Sequence, residues 1–229
     1  MSYSKRIERL CAHLKKADVF ADVGCDHGYC TEYMLDNGLC SFAFFCDISK
    51  GRLQKAEKLL QGYVEQGKAK GVLGGGFCGL HSEVDEVLIA GMGGSEILGI
   101  LTDKTYGFIP KYFVFQPMHD CEKLRKYLVE NGANILRDYT FYEGKYYDVI
   151  VGERGNGKTR MQYSEEEYAF GRDNVRTLPE AFVARSKKML EDIKAYLKNP
   201  TLQPSSRLEL EERYQKLTGV LQGETSGIL

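Results

Sequence analysis

The chain has 229 residues, 43% of them hydrophobic and 28% charged, and a net charge of −1. That length suits one α/β domain with an appendage and is short for two complete domains. The composition excludes disordered, collagen-like and mucin-like chains, and the near-zero charge argues, by itself, against an RNA or DNA partner.

Other classes fall to local features. The apolar stretch 87–101 contains four glycines, Ser95 and Glu96, so it is no membrane span. Segment 4–16 is amphipathic and basic, unlike a signal peptide. The seven cysteines at 11, 25, 30, 40, 46, 78 and 121 form no C-x-x-C pair. Neither a metal site nor a disulfide framework is therefore expected; reduced thiols in a cytoplasmic protein are.

In chain order, strands are expected at 19–23, 42–46, 71–73, 87–90 and 112–115. Helices are expected at 29–37, 49–66, from Gly94 onward, and at 121–130. Segments 135–142 and 146–151 read as a closing antiparallel hairpin. Strands separated by single helices need crossover connections, hence a mainly parallel sheet covered on both faces. Composition shifts near Gly155, Asn156 and Gly157, dividing the chain into 1–155 and 156–229. Beyond that point, Phe182, Met189, Ile193 and Leu197 mark one helical face; Leu210, Tyr214, Leu217 and Leu221 mark another. Two antiparallel helices in a short coiled-coil-like hairpin are expected.

Ligands of parallel sheets bind beyond the carboxyl ends of the strands. The first end reads Asp22, Val23, Gly24, Cys25, Asp26, His27, Gly28, Tyr29. It fails the G-x-G-x-x-G dinucleotide fingerprint. Its carboxylates would repel a pyrophosphate and attract a cation, as in the first motif of S-adenosylmethionine-dependent methyltransferases, although Asp26 stands where a glycine is usual. An ordinary glycine turn is the alternative. Asp47, 25 positions after Asp22, is placed to hold a ribose diol or to cap the next helix. Gly74, Gly75, Gly76 and Phe77 either pass beside an adenine or form a flexible turn. Ala90, Gly91, Met92, Gly93 and Gly94 end the fourth strand and leave room for a flat substrate. Gln116 and Pro117 end the fifth, where Gln116 either touches a substrate base or caps a helix.

Together, the strings Ala21–Asp22–Val23–Gly24–Cys25–Asp26–His27–Gly28–Tyr29, Ile89–Ala90–Gly91–Met92–Gly93–Gly94 and Gln116–Pro117–Met118 resemble the bacterial tRNA (adenine(22)-N(1))-methyltransferase family. The resemblance spans nearly the whole chain. It implies a Rossmann-like class I methyltransferase sheet with a C-terminal α-helical coiled-coil hairpin, S-adenosyl-L-methionine as cofactor and tRNA as substrate. It places Asp22, Gly24, Asp26, His27, Gly28, Asp47, Ile48, Gly75, Gly76, Phe77, Ala90, Gly91 and Met92 around the cofactor, and Asp26, Tyr29 and Gln116 at the methyl-transfer pocket. Three departures stand out. Gly75 replaces an acidic residue usual beside the cofactor adenine, Cys30 and Thr31 replace Leu-Pro, and Met118 replaces an Asn.

The implied reaction is in-line transfer of a methyl to N1 of an adenine, without a metal. The protein orients the reactants and stabilises developing positive charge, a role that falls to Asp26, with Tyr29 or Gln116 positioning the base. With tRNA as partner, the basic surface must be local: Lys5, Arg6, Arg9, Lys15 and Lys16 in the first helix, and Arg185, Lys187, Lys188, Lys194 and Lys198 in the tail. A monomer or weak homodimer is expected. The alternatives are a small-molecule or protein methyltransferase, and a catalytically silent cofactor-binding protein.

Overall fold

A computed structural model describes residues 3–80, 84–156 and 162–223; Gly157, part of the expected boundary, lies outside them. Among the described residues, seven strands form one sheet in the order β3-β2-β1-β4-β5-β7-β6. These are β1 (Ala17–Val23), β2 (Cys40–Asp47), β3 (Ala69–Leu73), β4 (Glu86–Met92), β5 (Tyr112–Pro117), β6 (Ala133–Glu143) and β7 (Lys145–Arg154). The first five are parallel. β7 runs antiparallel between β5 and β6, pairing Phe115 with Ile150 and Tyr142 with Tyr146. Strand order reverses between β1 and β4, so a crevice opens at their carboxyl ends.

Period-two alternation sorts the side chains onto two faces. Phe20, Leu88 and Val114 face α1 (Lys5–Cys11), α2 (Tyr29–Asp36) and α3 (Lys50–Leu59). Ala21, Val87, Ile89, Phe113 and Phe115 face α5 (Gly94–Leu101) and α6 (Cys121–Glu130). The helix expected over 49–66 is two: Leu60, at φ −93° and ψ 8°, separates α3 from α4 (Gln61–Glu65). Gly62 follows at once, and glycine is a weak helix former.

The C-terminal part contains more than a hairpin. α7 (Glu165–Phe170) and α8 (Arg172–Thr177) precede α9 (Glu180–Leu197) and α10 (Pro204–Gln222). Phe170, Val175, Phe182, Leu217 and Val220 share one small core, so the apolar stripe of α10 closes partly on α7 and α8. A buried polar junction fastens this extension to the sheet edge. Arg125 of α6 donates to both carboxylate oxygens of Asp138 at 3.0 and 2.9 Å, and Arg185 of α9 donates to Asp148 at 2.7 Å. Burial raises the Asp138 carboxyl while Arg125 draws it down. For Asp148 the attraction of Arg185 and Arg125 prevails over burial and holds the carboxyl below the ordinary range.

Candidate functional site

At the carboxyl end of β1, Asp22 is buried and accepts a hydrogen bond from the Thr31 hydroxyl at 3.1 Å. Burial pushes its carboxyl up to about 7; Thr31 opposes the shift and the neighbouring Asp47 adds to it. The chain then turns sharply. Gly24 has φ +78°, and a side chain there would collide with Met92. Asp26 adopts φ +48°, a conformation that Asp and Asn tolerate better than other L residues. Its carboxylate is more than half exposed, 3.9 Å from His27 Nε2 and 4.0 Å from Arg52 Nε. The His27 ring lies parallel to Tyr29, centroids 5.4 Å apart and planes 8° apart.

The buried Asp47 ends β2 next door. Its Oδ1 accepts from Ser49 N at 2.8 Å, and its Oδ2 faces Asp26 N at 3.4 Å. It thus caps the turn into α3 and ties the first two strand ends together. Ile48 is 76% exposed, and its side chain lies beside Gly75; the pair forms an apolar shelf. On β4, a bulge between Ala90 and Met92 is made by Gly91 at φ +82°. A Cβ there would lie 3.1 Å from the Arg6 guanidinium.

A cleft of about 410 Å³ joins Asp22, Gly24, Asp26, His27, Tyr29, Ala90 and Gly91 with Arg6, Cys25 and Arg52. Gly28, Asp47, Ile48, Gly75, Gly76 and Met92 stand outside its lining. Gly28 serves packing: a Cβ there would lie 3.1 Å from the Ala56 Cβ.

Phe77 and Gln116, both expected at the site, are buried and stand outside the cleft lining. Phe77 is 2% exposed and stacks on Phe108 at 4.4 Å, within the core between the sheet and α5. Its ring anchors the loop after β3 and does not face the crevice. Gln116 is fully buried; its Oε1 accepts from Arg6 Nε at 2.9 Å, and its Nε2 donates to Pro117 O at 3.3 Å. That carboxamide is satisfied internally, so the group reaching the cleft is Arg6. Alternation along β5 carries the signal: Phe113 and Phe115 point toward α5 and α6, so Gln116 points toward α1. The sequence reading counted Arg6 only among surface cations. Thr31 stands out in the sequence only as a departure from the family's string, and Arg52 belongs to no motif.

Residues 3–150 match the family described as a methyltransferase domain. A tRNA (adenine(22)-N(1))-methyltransferase of Bacillus subtilis is 29% identical over 167 residues, 68% of this chain and 67% of that protein. A Mycoplasma pneumoniae protein with the provisional name tRNA methyltransferase is 30% identical over 156 residues, 67% of this chain and 70% of its own length. A Streptococcus pneumoniae structure, provisionally named a tRNA (m1A22) methyltransferase and solved with S-adenosyl-L-methionine, superposes with a TM-score of 0.83 at 25% identity. It covers 96% of this chain and 100% of its own. The chain belongs to the methyltransferase-domain family.

Proposed function

We propose that the chain transfers a methyl group from S-adenosyl-L-methionine to N1 of an adenine in tRNA, at position 22. The observation that carries this reading is the cleft at the switch point. A buried carboxylate, Asp22, lines it together with the stacked rings of the half-buried His27 and the exposed Tyr29.

The residues present fit the cofactor. A carboxylate held near pH 7 by burial gains most from a cationic partner, which the amino group of the methionine part provides. Asp47 retains acceptor capacity toward a ribose diol. The Ile48–Gly75 shelf offers apolar surface to a purine, in place of the usual acidic residue. When bound, the cofactor supplies an electrophilic methyl on a sulfonium, so the transfer requires no metal. Ala90 and the Gly91 bulge offer little side-chain bulk of their own to the cleft, beside the Arg6 guanidinium. Tyr29 and His27 are placed to stack on the target base. Asp26 is placed to stabilise the positive charge that develops as N1 becomes alkylated.

Residues 1–155 would then bind cofactor and target base, and 156–229 would add tRNA contacts. Among the described residues no helix is long and apolar enough to cross a membrane, and a tRNA substrate puts the reaction in the cytoplasm. The two basic clusters divide in space. Arg6 reaches the cleft at the carboxyl ends of the strands, whereas Lys15 N bonds Glu86 at the amino end of β4. In the tail, Arg185 is engaged by Asp148, while Lys187, Lys188 and Lys198 are exposed.

The test is transfer of tritium from labelled S-adenosyl-L-methionine into bulk unmodified tRNA, with mapping of the modified base. Incorporation at adenine 22 is expected; none into tRNA would reject the reading.

A further inference from the structure

The β6–β7 hairpin tip carries features that the cofactor cleft does not use. Because β7 runs antiparallel to β5, with Phe115 opposite Ile150, its first residues lie beyond the carboxyl end of β5. The hairpin tip therefore stands on the rim of the cleft. Tyr142 and Tyr146 face each other across the tip, ring centroids 5.0 Å apart, and Tyr142 is 59% exposed. Beside them a groove of about 640 Å³ runs between the hairpin, α1 and the start of α9, lined by Arg9, Arg137, Tyr139, Tyr142, Tyr146 and Pro179 among others.

Cations are layered on the rings of this surface. Arg137 lies 5.3 Å from the Tyr139 ring, Arg9 6.0 Å from Phe141, and Lys145 5.2 Å from Tyr147. The Arg6 guanidinium, which lines the cleft, lies 5.4 Å from the same Tyr147 ring. Aromatic and guanidinium planes thus continue from the groove into the cleft. Acidic groups also occur on this face: Glu143 lies in the tip opposite Lys145, Glu180 lines the groove, and Asp173 engages Arg137 at 3.0 Å.

We infer that the hairpin tip and its groove are a stacking platform for unpaired tRNA nucleotides flanking the target adenine. This rests on the tRNA reading and adds to it the face on which the RNA lies. Exposing an adenine N1 that normally pairs breaks the stack around it, at about a few kcal/mol. Its neighbours lose their stacking partners at that moment. Rings and guanidinium planes recover such stacking with any base, and positive charge tracks the backbone. A partner selected by charge alone would need cations but not exposed rings.

The experiment compares wild type with Tyr142→Ala/Tyr146→Ala and Tyr142→Phe/Tyr146→Phe, using unmodified tRNA as the probe. The alanine pair is expected to raise Kd and KM for tRNA at least tenfold while Kd for S-adenosyl-L-methionine stays within twofold, which also reports an intact fold. The phenylalanine pair should bind tRNA like wild type, since stacking does not use the hydroxyl. Unchanged tRNA binding by the alanine pair overturns the platform alone. Absence of methyl transfer to tRNA by wild type overturns the function on which it rests.

Discussion

Arg6 donates its Nε hydrogen to Gln116 Oε1 at 2.9 Å, joining residues 110 positions apart. The bond fastens α1 over the end of β5 and brings a guanidinium into the cleft beside Gly91. Arg6 also lies over Tyr147, so one side chain touches the cofactor cleft, the fifth strand and the hairpin.

Arg6→Ala removes that donor and leaves a buried carboxamide oxygen unpaired, which costs about 1–3 kcal/mol. Single-turnover rates should fall roughly ten- to a hundredfold, about 1.4–2.7 kcal/mol of barrier, with Arg6→Lys recovering only part. Wild-type rates in Arg6→Ala would remove it from the site.

Asp26→Asn keeps a residue that tolerates the positive φ and removes only the charge. Turnover should drop roughly tenfold or more while cofactor Kd changes less than about twofold, the signature of an interaction made chiefly in the transition state. Equal losses in kcat and in cofactor affinity would assign Asp26 to binding instead.

Cofactor affinity should depend on pH through Asp22. Its carboxyl sits at about 7 in the free protein, so it is largely protonated at pH 6 and ionised at pH 8. A cationic ligand needs the ionised form, so affinity rises across that interval and binding at pH 6.5 releases a proton. Calorimetry in buffers of different ionisation enthalpy reads that release directly. Asp22→Asn should bind weakly and without pH dependence; a flat wild-type profile from pH 6 to 8 contradicts the assignment.

Glu86 contributes to stability in a similar pH window at the amino end of the central strand β4. Burial raises its carboxyl to about 8, against the opposing hydrogen bonds from Lys15 N. The folded state then holds a proton that the unfolded chain releases near its ordinary value of 4.5. Its contribution is complete at acid pH and is lost as pH climbs toward 8. Glu86→Gln should flatten the fall in Tm between pH 5 and 8; parallel Tm profiles for the two proteins would refute this.

Arg125→Ala strands the buried Asp138 carboxylate at the junction with the helical extension. Breaking a buried pair from one side costs about 3–5 kcal/mol, which corresponds to a Tm lower by about 6–20 °C for a chain of this size. A melt displaced by less than about 2 °C would show that the junction contributes little.

The parallel sheet was legible because each strand is short, apolar and followed by a helical period. The candidate site was legible where chemistry collects at strand ends, as with Asp22, Asp26 and Asp47. What escaped depended on which way side chains point. Phe77 follows three glycines and looks like a cleft residue, yet its ring is worth more inside the core against Phe108. Gln116 follows the alternation of β5 into the interior. Arg6 became a site residue only through apposition across 110 positions. The short helices α7 and α8 span too few residues for a 3.6-residue period to register.

The single backward strand also has an evolutionary consequence. The acidic turns that fit the cofactor lie at β1 and β2, on one flank of the switch point. The hairpin tip, carried past the end of β5 because β7 returns against it, lies on the other. Changes in the length or composition of residues 141–147 can therefore retune what the cleft accepts while leaving the donor half untouched. The fold keeps the inherited chemistry and the adjustable reading of substrate on separate strands.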